Sequence, residues 1–139
     1  MEEFDKQNIF GKGQANTAYA QYFVGNSYLN PLTKPGESAV FLANVTFEPG
    51  CRNNWHIHKA TKGGGQILIC TAGKGWYQEE GKAPQELTPG TVIVIPANVK
   101  HWHGAQKDSC LQPHCYKKVH RRHCCKKRNR GRVPGQRDR

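Results

Sequence analysis

The chain has no long apolar run. None of its hydrophobic stretches approaches the ~18–20 residues a bilayer span needs, so no transmembrane helix is expected. Met1–Lys6 is acidic and no apolar region follows it, so no secretory leader is expected either. A cytoplasmic, reducing setting follows, with free thiols rather than disulfides. Helical periodicity is also missing. The Gly63–Gly65 run lacks a Gly-Lys-Ser/Thr ending and no helix pattern follows it, which excludes a phosphate loop. No C-x₂-C pair occurs, so His114, Cys115, His120, His123, Cys124 and Cys125 do not have the spacing of a zinc module.

Acidic residues are scarce, ten against 21 Lys/Arg, for a formal net charge of +11. The imbalance is local. Residues 1–109 hold ten Lys/Arg and nine Asp/Glu, a net of +1; residues 110–139 hold eleven Lys/Arg and one Asp, a net of +10. A nearly neutral body offers no nucleic-acid surface, so no specific nucleic-acid partner is expected. The basic stretch would bind phosphate backbones without sequence preference whatever its origin. Four of the six cysteines also crowd into 110–139, leaving Cys51 and Cys70 in the body, where both read as inert small residues.

What the body does contain is short strands. Strands are predicted over Ala18–Val24, Ser38–Glu48, Asn54–His58, Gln66–Thr71, Gly75–Glu79, Pro84–Leu87, Thr91–Ile95 and His101–Gln106. Asn26–Gly36, with Asn30-Pro31 and Lys34-Pro35-Gly36, reads as turns, and Lys59–Gly65 as a loop. Turn signals every ~8–12 residues indicate an all-β sandwich or barrel, and 139 residues suggest one domain. Its parts are an N-terminal lead-in or edge arm over 1–16, a barrel over 17–109 and a basic tail over 110–139 that reads as disordered.

His56-Ile57-His58 is the feature with chemical content. Residues i and i+2 of a strand share a face, so this pair aims two imidazoles at one point. Neutral histidine is the commonest transition-metal ligand. His101 and the carboxamide of Gln66, arriving from other strands, would complete a mononuclear site. His103 shares the face of His101 and could be a fifth ligand, a general base or substrate contact, or a core histidine; base or substrate contact is the reading carried forward. Trp55, Trp76 and Trp102 read as packing residues, Trp102 on the outer face at a possible subunit contact.

These residues resemble a known family. Gly50, His56-x-His58, Gln66 and Gly73 resemble the first cupin motif, and Pro96 with His101 resembles the second. The chain departs from the usual pattern at Gln66, where cupins commonly have Glu closer to the second histidine, and at Asn98, where they commonly have Gly. Within the family, Trp55-His56-x-His58, Gly65-Gln66 and Lys100-His101-Trp102-His103-Gly104 resemble small bacterial cupins related to carboxymuconolactone decarboxylases, some of which are manganese-dependent hydroxynitrile lyases. The likeness covers residues 10–109. It implies a double-stranded β-helix, a likeness to homodimers, and a metal site of His56, His58, Gln66 and His101. It further implies His103 in the cavity as the catalytic group, with Ala43 and Val45 on the cavity wall. Manganese is the first expectation for the ion; iron, nickel, copper, cobalt and zinc suit the same donors. The implied activity is lyase or oxygenase chemistry on a small organic molecule. The alternative is a non-catalytic cupin that binds a small ligand or a metal.

From Cys110 the chain leaves the family pattern. Relatives continue as Trp-Phe-x-His-x-Ala-x-Glu or Gln. Back-translating Leu111–Tyr116 as CTT CAG CCA CAT TGC TAT and reading from the second base yields Phe-Ser-His-Ile-Ala-Ile, the family strand. The expectation is a one-base shift near Cys110, loss of a barrel strand, an open sheet edge and loss of a cavity histidine.

Overall fold

The computed structural model of the chain describes residues 6–117 and 123–125, with side chains described as far as residue 111. Apart from helical residues at Lys6 and Gln7 and one 3-10 turn, Ala20–Tyr22, the elements among the described residues are strands: β1 (Gln14–Ala15), β2 (Phe23–Val24), β3 (Ser27–Pro31), β4 (Phe41–Phe47), β5 (Arg52–Asn53), β6 (His56–His58), β7 (Gln66–Gly73), β8 (Gly75–Glu79), β9 (Gln85–Leu87), β10 (Val92–Ile95), β11 (His101–Ala105), β12 (Leu111–Lys117) and β13 (His123–Cys125). No helix among the described residues is long and apolar enough to cross a membrane.

Two sheets form. One runs β1-β3-β4-β12-β7-β10; the other runs β13-β6-β11-β5-β2, with β8 on β11 and β9 on β8. The core draws on both. Val45, Phe47, Leu68, Cys70, Ile93, Ile95 and Leu111 come from the first sheet, and Tyr77, Leu87 and Ala105 from the second. Period-two alternation generates this interior. On β7, Gln66, Leu68, Cys70 and Ala72 are buried and the intervening residues are not. On β10, Ile93 and Ile95 turn in while Val92 and Val94 face solvent, so an apolar-looking strand has only one buried face. The all-β, double-stranded architecture expected from the sequence is the one observed.

The N-terminal arm packs as an edge. Gln14 and Ala15 pair with Leu29 and Tyr28. The buried amide of Asn44 donates to the Gly11 carbonyl at 2.6 Å, and Asn30 to the Phe10 carbonyl at 2.7 Å. The outer face of β4 is thereby covered, and Asn44 and Thr46 are as buried as the inward Val45 and Phe47.

Three expectations are corrected. Ala18–Val24 is a 3-10 turn with a two-residue strand, because only Phe23 and Val24 find a ladder partner, in Asn53 and Arg52. Ser27–Pro31, read as part of a turn region, is the strand β3 between β1 and β4. Its Pro31 occupies the strand's last position, where the missing N–H interrupts little of the ladder.

The third correction concerns the lost strand. Leu111–Lys117 forms β12 between β4 and β7, antiparallel to both, so this sheet has no open edge there. Ladders are made by backbone N–H and C=O groups, which side-chain alternation does not report. Pro113, which has no N–H to give, sits at a register shift between Gln112 and Pro113. Leu111 enters the core with no exposed surface. Of the 110–139 tail read as disordered, Leu111–Lys117 and His123–Cys125 are strands, the second paired with β6; the expectations for the rest of the tail, for phosphate binding and for a lost cavity histidine fall on side chains from 112 onward and on 118–122 and 126–139, outside the described residues.

Candidate metal centre

The site is built on β6 and β11, which lie side by side. His101 is directly opposite His56. Gly104 is opposite Arg52 on β5. Between those two pairs β11 spends three residues and the β5–β6 segment four, so one extra residue is accommodated around Asn54-Trp55. The bulge returns Asn53 and His56 to the same inward face although they are three apart in sequence. Gly104 permits the close approach: a Cβ there would meet the Arg52 Cβ and the Cys51 carbonyl at 2.5 Å.

One nitrogen from each of His56, His101 and His103 lies within 4.8 Å of the other two. The ring of His58 adds a fourth, 4.9 Å from the His56 centroid and 5.5 Å from that of His101. Two of the rings are oriented by the same local device. Nδ1–H of His56 donates to the Asn54 carbonyl at 2.7 Å, and Nδ1–H of His101 to the Val99 carbonyl at 2.9 Å, in each case two residues back along the chain. A ring protonated at Nδ1 keeps its lone pair on Nε2, the form in which histidine binds a metal. Burial, then the rings of His101, His58 and His103, hold His56 well below the usual histidine range, outweighing the Asn54 carbonyl, which acts in the other direction. The imidazole is therefore neutral at physiological pH.

Gln66 reaches the interior from the other sheet, on the inward face of β7. It is buried, and its Oε1 has no hydrogen-bond partner. An unsatisfied buried carbonyl oxygen costs ~1–3 kcal/mol. A cation beside it removes that cost, so this oxygen fits a metal as the neutral imidazoles do. Among the described residues, no carboxylate belongs to the cluster.

The cavity residues expected from the resemblance also lie inside. Ala43 and Val45 are buried on β4, on the face of Phe47, whose ring meets His103 edge-on at 5.5 Å. Asn98 accounts for its own departure from the family pattern. It adopts a left-handed conformation, φ 69°, which Asn tolerates better than most side chains. Its N–H donates to the His58 carbonyl at 2.8 Å, and its amide bonds both backbone groups of Ala60. The long loop after His58 is thus tied to the turn before His101.

Trp102 is corrected. It lies opposite His101 and His103 in the alternation of β11 but has no exposed surface, held by Gln78 at 2.9 Å and by the edge of Trp55, so it offers nothing to a second subunit. Cys51 and Cys70, read as inert, are both buried, their thiols pushed up by burial to about 12 and about 11. One residue escaped the sequence reading: Asn53. Its amide Oδ1 accepts the His103 backbone N–H at 2.8 Å and its Nδ2 lies 2.9 Å from His103 Nε2. No period-two pattern links Asn53 to the histidines, because the bulge intervenes; the only sequence signal was an asparagine pair just before Trp55-His56.

Comparison with known proteins agrees with this geometry. The cupin domain family matches residues 43–112, half of the chain. An (R)-mandelonitrile lyase of Granulicella tundricola is 46% identical over 102 residues, covering 73% of this chain and 71% of that protein. The crystal structure of a cupin-like protein from Thermotoga maritima has a TM-score of 0.71 at 41% identity, covering 79% of this chain and 80% of that one. A cupin-2 domain protein from Rhodospirillum rubrum, at 18% identity and a TM-score of 0.65, covers 76% and 68% and agrees in fold. With the histidine cluster on the inner face of a two-sheet barrel and these matches across most of its length, the chain belongs to the cupin family.

Proposed function

We propose that this cupin is a metal-dependent lyase acting on a small hydroxylated organic molecule of the cyanohydrin type. The observation that carries the reading is the cluster of four imidazoles inside the barrel: nitrogens of His56, His101 and His103 lie within 4.8 Å of one another, and the His58 ring stands 4.9 Å from that of His56 and 5.5 Å from that of His101. The relative named as an (R)-mandelonitrile lyase supplies the reaction class. His56, His58, Gln66 and His101 would hold one divalent transition ion, manganese first among the metals these donors suit. A bound ion supplies Lewis-acid stabilisation of negative charge on a substrate oxygen or on cyanide. Because its four donors carry no charge, the site favours an anionic or carbonyl ligand. His103, on the same face as His101, contacts the substrate without holding the ion. Ala43 and Val45 are small and apolar; they leave room for a hydrocarbon group and exclude water from it.

Mandelonitrile cleavage by manganese-loaded wild type and His103→Ala tests the proposal. Wild type cleaves, and His103→Ala keeps the metal while losing ~10²–10³-fold in turnover, the usual cost of removing one group that stabilises developing charge. Equal rates would remove His103 from the chemistry. No cleavage by either protein, with metal bound, would move the reading to an oxygenase or to a binding module without catalysis. The expected homodimer belongs to the same proposal. It is supported by Val92 and Val94, 55% and 67% exposed on β10 at the end of its sheet, and sedimentation at micromolar concentration tests it.

A further inference from the structure

We infer that Asn53 is a positioning residue that sets the tautomer of His103, placing the ring proton on Nδ1 and engaging the Nε2 lone pair. The Asn53 amide is oriented by the His103 backbone N–H. That N–H can only donate, and the atom of Asn53 facing it at 2.8 Å must accept; that atom is Oδ1. The amide cannot then be turned over, and the group 2.9 Å from His103 Nε2 is the NH₂ of Asn53. An NH₂ has no lone pair to give, so Nε2 is the acceptor and carries no proton. The ring's proton is on Nδ1. Both residues are buried, His103 at 2% exposure and Asn53 at 6%, so water does not readily take over either partner.

This sets His103 apart from its neighbours. His56 and His101 have Nδ1–H engaged by carbonyls and hold a lone pair on Nε2. His103 has its Nε2 lone pair engaged by an amide. Nitrogen alone would allow all three rings to be ligands, but the hydrogen bonds make two of them lone-pair donors and the third a proton donor. A ring already protonated at Nδ1, with Nε2 taken, is a poor general base. It is suited to hold an anionic oxygen or a cyanide nitrogen by hydrogen bonding. That catalytic meaning rests on the proposed function; the tautomer does not.

The test is Asn53→Asp, which keeps the size of the side chain and an oxygen for the His103 backbone N–H but replaces NH₂ with an acceptor. Imidazole nitrogen shifts are read from long-range proton–nitrogen spectra of the zinc-loaded protein, zinc being diamagnetic. In wild type, His103 Nδ1 gives the protonated-type shift and Nε2 the unprotonated type. In Asn53→Asp the two exchange, at an unchanged zinc stoichiometry of one per chain. An unprotonated Nδ1 in wild type overturns the inference, as does an Asn53→Asp spectrum identical to wild type. Wild type is itself decisive if the variant does not fold. With manganese, Asn53→Asp loses at least ~10-fold in mandelonitrile turnover. If wild type shows the expected tautomer but no cleavage, the tautomer stands and the lyase reading fails.

Discussion

His101 stands directly across the ladder from His56, and their ring centroids are 4.2 Å apart. Antiparallel neighbours share a face, so this register alone brings imidazoles from two distant parts of the chain to one point. Each ring is then turned by a carbonyl two residues before it. The centre thus rests on backbone geometry, and its disruption has several measurable consequences.

Metal content depends on the two facing histidines. Purified protein carries about one first-row transition ion per chain, and His56→Ala or His101→Ala removes it. Gln66→Ala weakens binding less, because water can replace an amide oxygen more easily than an imidazole. Elemental analysis checks this; equal metal in wild type and both histidine variants would defeat the assignment.

The metal-free protein loses stability in acid. His56 is held below the usual histidine range, by burial first and then by the three neighbouring imidazoles. The unfolded chain takes up a proton near ~6.5 and the folded chain does not, so stability is complete above that pH. It falls as the pH drops below ~6.5, by at most ~1.4 kcal/mol per pH unit for this one proton, until the folded pKa is reached. Urea midpoints at pH 8 and pH 5.5 measure it. His56→Asn should flatten the dependence, and an unchanged slope in that variant would point to other groups.

Phe47 joins the core to the site. It is fully buried, 5.6 Å from the Phe23 ring and 5.5 Å from His103. Phe47→Ala should cost ~3–5 kcal/mol of unfolding free energy, read from denaturant unfolding of the metal-free protein. A loss below ~1 kcal/mol would mean that the interior collapses to fill the space.

Asn98 makes two contributions that two variants separate. Asn98→Gly accepts φ 69° but loses the bonds to Ala60; Asn98→Ala loses both the bonds and the conformation. Asn98→Ala should therefore melt lower, by the equivalent of ~1–2 kcal/mol for a left-handed non-glycine residue. Equal melting of the two would remove backbone strain from the explanation.

The strand alternation, the turn residues and His56-x-His58 were legible from the amino-acid order because each is a local pattern. Those features placed the all-β class and the candidate ligands. The homology of Gln66 and His101 to cupin positions was legible only through the resemblance, since nothing local relates residues so far apart. Asn53 was hidden for a physical reason: one extra residue between the Arg52 and His56 pairings moves it onto the inward face, and register is a property of two strands, not of one. Leu111–Lys117 was misread for the complementary reason, since a slot between β4 and β7 recruits backbone hydrogen bonds whatever the side-chain pattern. Residue chemistry thus determined which groups could bind a metal. Only the pairing of β6 and β11, with its bulge, decided that His56 and His101 present lone pairs while Asn53 takes that of His103, because hydrogen-bond partners are assigned in space.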